Sequence, residues 1–206
     1  MTAIGLVLGA GAASRFGATK QVANFAGRPL ISFPIQALRG AGLEQVLIVL
    51  GANSEHVVPH LRGEEVVFNP EWRDGLSTSL RAGLEAAAAR GADRVVVALA
   101  DQPLLSSQAV ARVLEASNRG AQIARATYFG NAGHPIALAQ DTFGAVARLR
   151  GDAGARALRD FAIVDVPCDG LGSPADIDTP DDVARLAPSR SMIEVHASAR
   201  GQESRS

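Results

Sequence analysis

An α/β fold built on a mostly parallel sheet is predicted by three observations. Short apolar runs alternate with amphipathic helical stretches, as they do where crossover helices join parallel strands. The first run, AIGLVLGAG (3–11), is continuously apolar, the pattern of a strand covered on both faces. Of the 206 residues 47% are apolar, enough for a substantial core, and the single cysteine, Cys168, excludes a disulfide framework.

The elements follow in order. A helix is predicted from near Pro29, a residue suited to a first helical turn, to the glycines at 40–42, with a kink or a late start at Pro34. QVLIVLG (45–51) is the second strand, and Asn53 or Ser54 can cap a short helix after it. EVVFNP (65–70) is a third strand. LSTSLRAGLEAAAARG (76–91) is a helix stopped by Gly91. RVVVALADQP (94–103) is a strand ending at Asp101 and broken by Pro103, with Ser106 or Ser107 capping the next helix. AQIARATYFG (121–130) and HPIALA (134–139) read as strands, DTFGAVARLRG (141–151) as a helix, and a further short helix leads to strand AIVDVP (162–167). Thr179-Pro180 opens a last helix. One domain over 1–188 and a loosely ordered Ser/Arg-rich tail over 189–206 are expected.

The bulk chemistry is exclusive. A net charge of −1 provides no basic field for nucleic acid or anionic lipid. No apolar segment approaches the ~20 residues that span a bilayer, and Met1–Ala10 lacks a basic leader pattern. A cytoplasmic protein with neither nucleic acid nor membrane as partner is expected. The four histidines, His56, His60, His134 and His196, lack metal-ligand spacing.

The informative stretch is LGAGAASRFGATK (8–20). Gly9, Gly11 and Gly17 follow a buried strand, where glycines let backbone N–H groups approach an anion closely. Lys20 is the only lysine; the other nineteen basic residues are arginine. A Walker A loop needs Gly-Lys-Ser/Thr, and Ala18-Thr19 separates Gly17 from Lys20. A dinucleotide fingerprint is imperfect at Ser14 and lacks an acid after the second strand, where the chain reads GAN. A third reading wraps the loop around a nucleoside triphosphate, with the Arg15 fork and the compact Lys20 charge on its phosphates. A plain strand–helix connection with solvated charges is the bland alternative. Asp101, at the strand end where open α/β sheets bind ligands, reads either as a turn aspartate or as a carboxylate for Mg²⁺.

These residues resemble the MobA-like nucleotidyltransferases, whose signature reads L-A-x-G-x-S-x-R-M-G-x-x-K. Arg15, Gly17 and Lys20 match directly; Gly9 replaces the alanine, Phe16 the methionine, and the family's serine falls on Ala13. NPEWRDGLSTSLRAGL (69–84) resembles N-P-x-W-x-x-G-M-x-S-S-L, with Leu76 for methionine, and ALADQP (98–103) resembles L-x-D-x-P. DIDTPDD (176–182) resembles the closing motif, while GNAGHPIAL (130–138) and RGDAGARAL (150–158) are similar to the molybdenum-cofactor cytidylyltransferase branch.

The resemblance implies a three-layer α/β/α, Rossmann-like nucleotidyltransferase sheet with a small antiparallel addition. It implies transfer of a nucleoside monophosphate onto a phosphate-bearing acceptor, with pyrophosphate released. Arg15, Lys20 and Asp101 would be catalytic, and Leu8, Gly9, Ala10 and Gly11 would join them on the nucleotide. The segment carrying Asn69, Trp72, Ser77, Thr78 and Ser79 would meet base and ribose, although Ser77 could instead cap the helix and Trp72 belong to the core. His134 would lie near the acceptor. Mg²⁺ would sit on Asp101 and a second acid, Asp178 in preference to Asp176, although Asp178-Thr179-Pro180 also reads as a helix start. An alanine at position 10 accompanies CTP use and a glycine GTP use, because a methyl beside the base excludes a larger purine. The implied acceptor is a molybdopterin-type cofactor, and the implied partner a molybdenum hydroxylase apoenzyme. A second phosphate pKa near ~6 leaves such an acceptor anionic, so no general base is needed. A nicotinamide-dependent oxidoreductase and a non-catalytic cofactor carrier are the rival classes.

Overall fold

The computed structural model describes residues 1–13, 15–154, 158 and 160–187. The tail expected over 189–206 lies outside the described residues, as do 155–157 and 159 in the segment before AIVDVP where a short helix is expected.

Nine strands and six α-helices are described: β1 (Ala3–Leu8), β2 (Asn24–Phe25), β3 (Arg28–Pro29), α1 (Ser32–Gly40), β4 (Val46–Leu50), α2 (Ser54–Val57), β5 (Glu65–Phe68), α3 (Leu76–Ala88), β6 (Arg94–Leu99), α4 (Ser107–Asn118), β7 (Ile123–Tyr128), β8 (Asn131–Ala139), α5 (Phe143–Val146), β9 (Ile163–Pro167) and α6 (Pro180–Leu186). Seven strands form one sheet in the order β5-β4-β1-β6-β8-β7-β9, and β2-β3 form a separate ribbon. β1 runs parallel to both β4 and β6, and β8 alone is reversed, pairing antiparallel with β6 and β7. The predicted class, a mostly parallel sheet with a small antiparallel addition, is the one observed.

The period of two along each strand sorts the core into two layers. Ile4, Leu6 and Leu8 join Leu47, Val49, Val95 and Val97 beneath Leu80 and Leu84 of α3. Val7, Ile48, Leu50, Val96 and Ala98 face Ile35 and Leu38 of α1 and Val110 and Val113 of α4. Burying each such side chain stabilises the fold by roughly 1.5–3 kcal/mol before the entropy of ordering is charged against it. With both faces covered, the strands need no polar alternation, and the site is left to the sheet's C-terminal edge.

Two expectations are corrected. Pro29 does not open a helix: it lies in the β2-β3 ribbon, opposite Asn24. The helix starts late, at Ser32, which puts Pro34 in the first turn, where a missing N–H leaves no helical bond unmade. Residues 141–151 are not one helix either; a 3-10 turn (Gln140–Thr142) and the four residues of α5 are all that form there. Elsewhere Ser106 caps α4 by accepting from the Ala109 amide at 3.1 Å, as its position suggested. Among the described residues no helix is long and apolar enough to cross a membrane.

Candidate active site

β1 and β6 are neighbours in register, Leu8 opposite Leu99, so the chain segments leaving them emerge side by side. They form a cleft of about 290 Å³, walled by Leu8, Gly9, Ala10 and Gly11 on one side and by Ala100 and Asp101 on the other. A Cβ on Gly9 would stand 3.0 Å from that of Ala100, so a side chain there would force the two strand ends apart. At Gly11 a Cβ would meet nothing within 4 Å: the space beyond it is open. Ala13, also on the wall, holds φ at 51°, an uncommon value for a residue with a Cβ. Among the described residues, the N–H groups of Ala10, Gly11 and Ala12 donate to no backbone acceptor.

Lys20 begins a 3-10 turn (Lys20–Val22) under this loop. Its ammonium lies 2.8 Å from Asp101 Oδ2 and 3.1 Å from Asp178 Oδ1, with 12% of the side chain exposed. Burial works against the charged form, but the Asp101 carboxylate, its hydrogen bond and the Asp178 carboxylate outweigh it and raise the Lys20 pKa above its usual value. Arg15 reaches Asp178 Oδ2 at 3.1 Å from a largely solvated position, 75% exposed.

Asp178 is delivered from the far end of the chain by a hydrophobic pin. Ile177 is fully buried with Phe25 and Leu30, and its N–H donates to the Asp101 carbonyl at 3.0 Å. Its neighbours therefore face different partners: Asp178 meets Lys20, whereas Asp176 Oδ1 accepts from Gln102 Nε2 at 2.7 Å. Burial pushes the Asp176 carboxyl up, the Gln102 hydrogen bond opposing it. α6 fixes the segment through a capping box, in which Thr179 Oγ1 accepts from the Asp182 amide and Asp182 Oδ2 from the Thr179 amide. Hydrogen bonds from Arg185, the Thr179 hydroxyl and the amides of Asp178 and Thr179 hold Asp182 well below the usual carboxylate range. Its contribution to stability is thus present above the unfolded carboxylate pKa and fades as pH falls through that depressed value. Thr179→Ala is expected to lower stability by about 1 kcal/mol, read by chemical denaturation at neutral pH. An unchanged midpoint would show that the box does not hold α6.

Asn69, Ser77 and Ser79 are brought to the start of α3 and are all buried. Ser79 lines the cleft. Asn69 sits behind it, donating to Thr78 Oγ1 (2.9 Å) and Ser79 Oγ (3.0 Å) and accepting from the Glu71 amide. Ser77 is not the helix cap, a position held by Gly75, and its buried Oγ has no partner among the described residues. Gly75 takes φ 101° hard against the Gly151 backbone, where a Cβ would stand 2.3 Å from a carbonyl carbon. Gly151 O accepts the Ser77 amide at 3.0 Å and Asp152 Oδ1 the Leu76 amide at 3.3 Å. Residues 151–152 of the RGDAGARAL stretch thus cap α3, and Asp152 also walls the cleft; residues 155–157 lie outside the described residues. Trp72 both packs against the core and lines the cleft. His134 is half-buried on β8, at the sheet edge that carries Asp101 but outside the cleft lining. Its carbonyl accepts from Tyr128, whose phenol burial pushes up to about 12, so that it remains a donor.

Three cleft residues receive no role from the sequence, although Ala13 and Asp152 fall within stretches that resemble family motifs. Gln21 is buried, its Nε2 donating to the carbonyls of Gly9 (2.7 Å) and Gly11 (3.2 Å). Gln21 stands beside the singular Lys20 with nothing else to distinguish it, Asp152 is 76 positions from the helix it caps, and Ala13 is one alanine among many.

The donor set suits a hard divalent cation. Asp101 and Asp178 share one ammonium, and Asp101 Oδ1 is buried with no hydrogen-bond partner among the described residues. No cluster of three or more His, Cys, Asp or Glu ligands exists among the described residues; two carboxylates are as many as Mg²⁺ usually takes from a protein, with phosphate and water completing its shell.

Known proteins share this arrangement of strands and loops. Over 196 residues the chain is 33% identical to the nicotine blue oxidoreductase of Paenarthrobacter nicotinovorans, spanning 88% of this chain and 95% of that one. A crystal structure of Rv0371c from Mycobacterium tuberculosis H37Rv superposes with a TM-score of 0.79 at 29% identity, over 90% of this chain and 97% of the other. Its complex with manganese gives 0.75 at 27%, over 92% and 100%. The model of the MobA-like NTP transferase domain matches residues 5–166, from β1 through the glycine loop and Asp101 into β9. The chain therefore belongs to the MobA-like NTP transferase family.

Proposed function

We propose that the protein transfers a nucleoside monophosphate, CMP from CTP, onto the terminal phosphate of a molybdopterin-type acceptor and releases pyrophosphate. The observation that carries this reading is the sharing of one lysine by two carboxylates, Asp101 and Asp178, beside the amides of Ala10, Gly11 and Ala12, which have no backbone acceptor among the described residues. Such a site supplies charge neutralisation and alignment, which is most of what phosphoryl chemistry asks of a protein.

In this mechanism the amides of Ala10, Gly11 and Ala12 receive the triphosphate, and Lys20 turns from the carboxylates to the phosphate oxygens. Arg15, already solvated, folds over the outer phosphates. An oxygen of the acceptor phosphate attacks the α-phosphorus, the α–β bridge breaks, and its electron pair leaves with pyrophosphate. Asp101 and Asp178 would hold the Mg²⁺, which when bound would offset charge on the phosphate oxygens. The Ala10 methyl at the cleft wall favours a pyrimidine, Ser79 and Trp72 flank the nucleoside, and His134 faces the acceptor. A molybdenum hydroxylase apoenzyme would take the product.

The name of the Paenarthrobacter relative favours an oxidoreductase as second reading. Against it, the chain leaving β4 reads Gly51-Ala52-Asn53, with no carboxylate for a dinucleotide ribose. Thermal unfolding with CTP, GTP, ATP or NAD, each with and without Mg²⁺, separates the two. CTP with Mg²⁺ at a hundredfold its Kd is expected to add about 2.7 kcal/mol of stability, and molybdopterin cofactor then to release pyrophosphate. Stabilisation by NAD alone, without magnesium, would reject the transferase reading.

A further inference from the structure

We infer that Gln21 is the positioning residue of the phosphate cradle: its side-chain amide sets the direction of the loop N–H groups that receive the anion. The inference rests on the anion-binding part of the proposed function and assigns a residue that the loop signature does not include. Gln21 donates from one nitrogen to two carbonyls, Gly9 O and Gly11 O, two residues apart on the glycine loop. A trans peptide sets its C=O and N–H on opposite edges. Pinning the Gly9 carbonyl thus turns the Ala10 N–H away from Gln21, and pinning the Gly11 carbonyl does the same for Ala12. The intervening carbonyl, Ala10 O, is tied to the Ala52 amide at 3.0 Å, which fixes the third peptide plane.

Three consecutive peptides are thereby oriented while, among the described residues, their N–H groups donate to no backbone acceptor, beside the open space at Gly11. Few side chains could substitute. Glutamate would set a negative charge against two carbonyl oxygens, and methionine, of similar length, has no donor. The Gln21 backbone is also committed, its carbonyl accepting from the Ile31 amide at 2.9 Å. Loop, turn and the approach to α1 are in this way locked together, and Lys20 one residue earlier inherits its direction from the same lock.

Gln21→Met tests this with inorganic pyrophosphate as the probe, by calorimetric titration of the folded protein. The expected result is at least a tenfold rise in the pyrophosphate Kd; a merely structural role would lower the melting temperature and leave the Kd of the folded protein unmoved. If Gln21→Met does not fold, Gln21→Asn, which keeps the donors but falls one methylene short, is read in the same way. A wild-type Kd in either folded variant, or failure of both to fold, overturns the assignment, as does a wild-type protein that binds no pyrophosphate. A wild type that binds pyrophosphate but transfers no nucleotide would instead remove the proposed function and leave Gln21 its role.

Discussion

Lys20→Met is expected to lower nucleotidyl transfer by about 10²–10³-fold, the range observed when one preorganised donor to developing charge is removed. Lys20 is the one lysine of the chain, and among the described residues no arginine pairs with both carboxylates: Arg15 contacts Asp178 alone. Two effects on folding oppose each other. The variant loses two ion pairs, and it no longer buries an ammonium. The residual cost is that Asp101 and Asp178, each within about 3 Å of the missing nitrogen, now face one another; we expect a loss of about 2 kcal/mol, leaving the protein folded. A divalent cation should recover that loss, because it replaces the charge that lysine supplied. The prediction is checked by pyrophosphate release for turnover and by unfolding with and without Mn²⁺ for stability. Undiminished turnover in a folded variant would reject the role of Lys20.

The sequence made the centre of the sheet and one half of the site legible, for the same reason. Continuous apolar runs mark strands covered on both faces, and a charged residue where such a run stops can only stand at the sheet edge. Asp101 was therefore visible, and Lys20 stood out as the only lysine, at the end of the glycine loop. The β2-β3 ribbon was not, since two residues per strand carry no period, and Pro29 is equally at home in a helix start. Nor were the partners of α3's first turn, because Gly151 and Asp152 cap that helix from about 75 positions away. Propensity also failed at 141–151, where a pattern fit for a helix yields only four α-helical residues. Asp178 and Asp176 both flank Ile177, and it is the burial of that one side chain that decides which carboxylate meets the lysine.

Asp101→Asn is the sharper test of the cation site, since the replacement has the same shape. Asp101 Oδ2 holds Lys20, while its buried Oδ1 meets no donor among the described residues. An asparagine cannot serve both sides. With its amide nitrogen toward Lys20, donor faces donor; with the nitrogen inward, it is buried without an acceptor and the charge is lost in either case. Lys20 would then depend on Asp178, which is 38% exposed and already shared with Arg15. Loss of Mn²⁺ binding in the presence of CTP and a fall in turnover of about 10³-fold or more are expected, read by paramagnetic resonance of free Mn²⁺ and by pyrophosphate release. Asp176→Asn is the matched comparison. Its Oδ1 can still accept from Gln102, and removing its charge relieves repulsion from Asp101 and Asp178, so both readouts should stay near wild type. Retention of cation binding by Asp101→Asn together with its loss in Asp176→Asn would move the metal from the lysine side of Ile177 to the glutamine side, and the proposed alignment of triphosphate, lysine and cation would go with it.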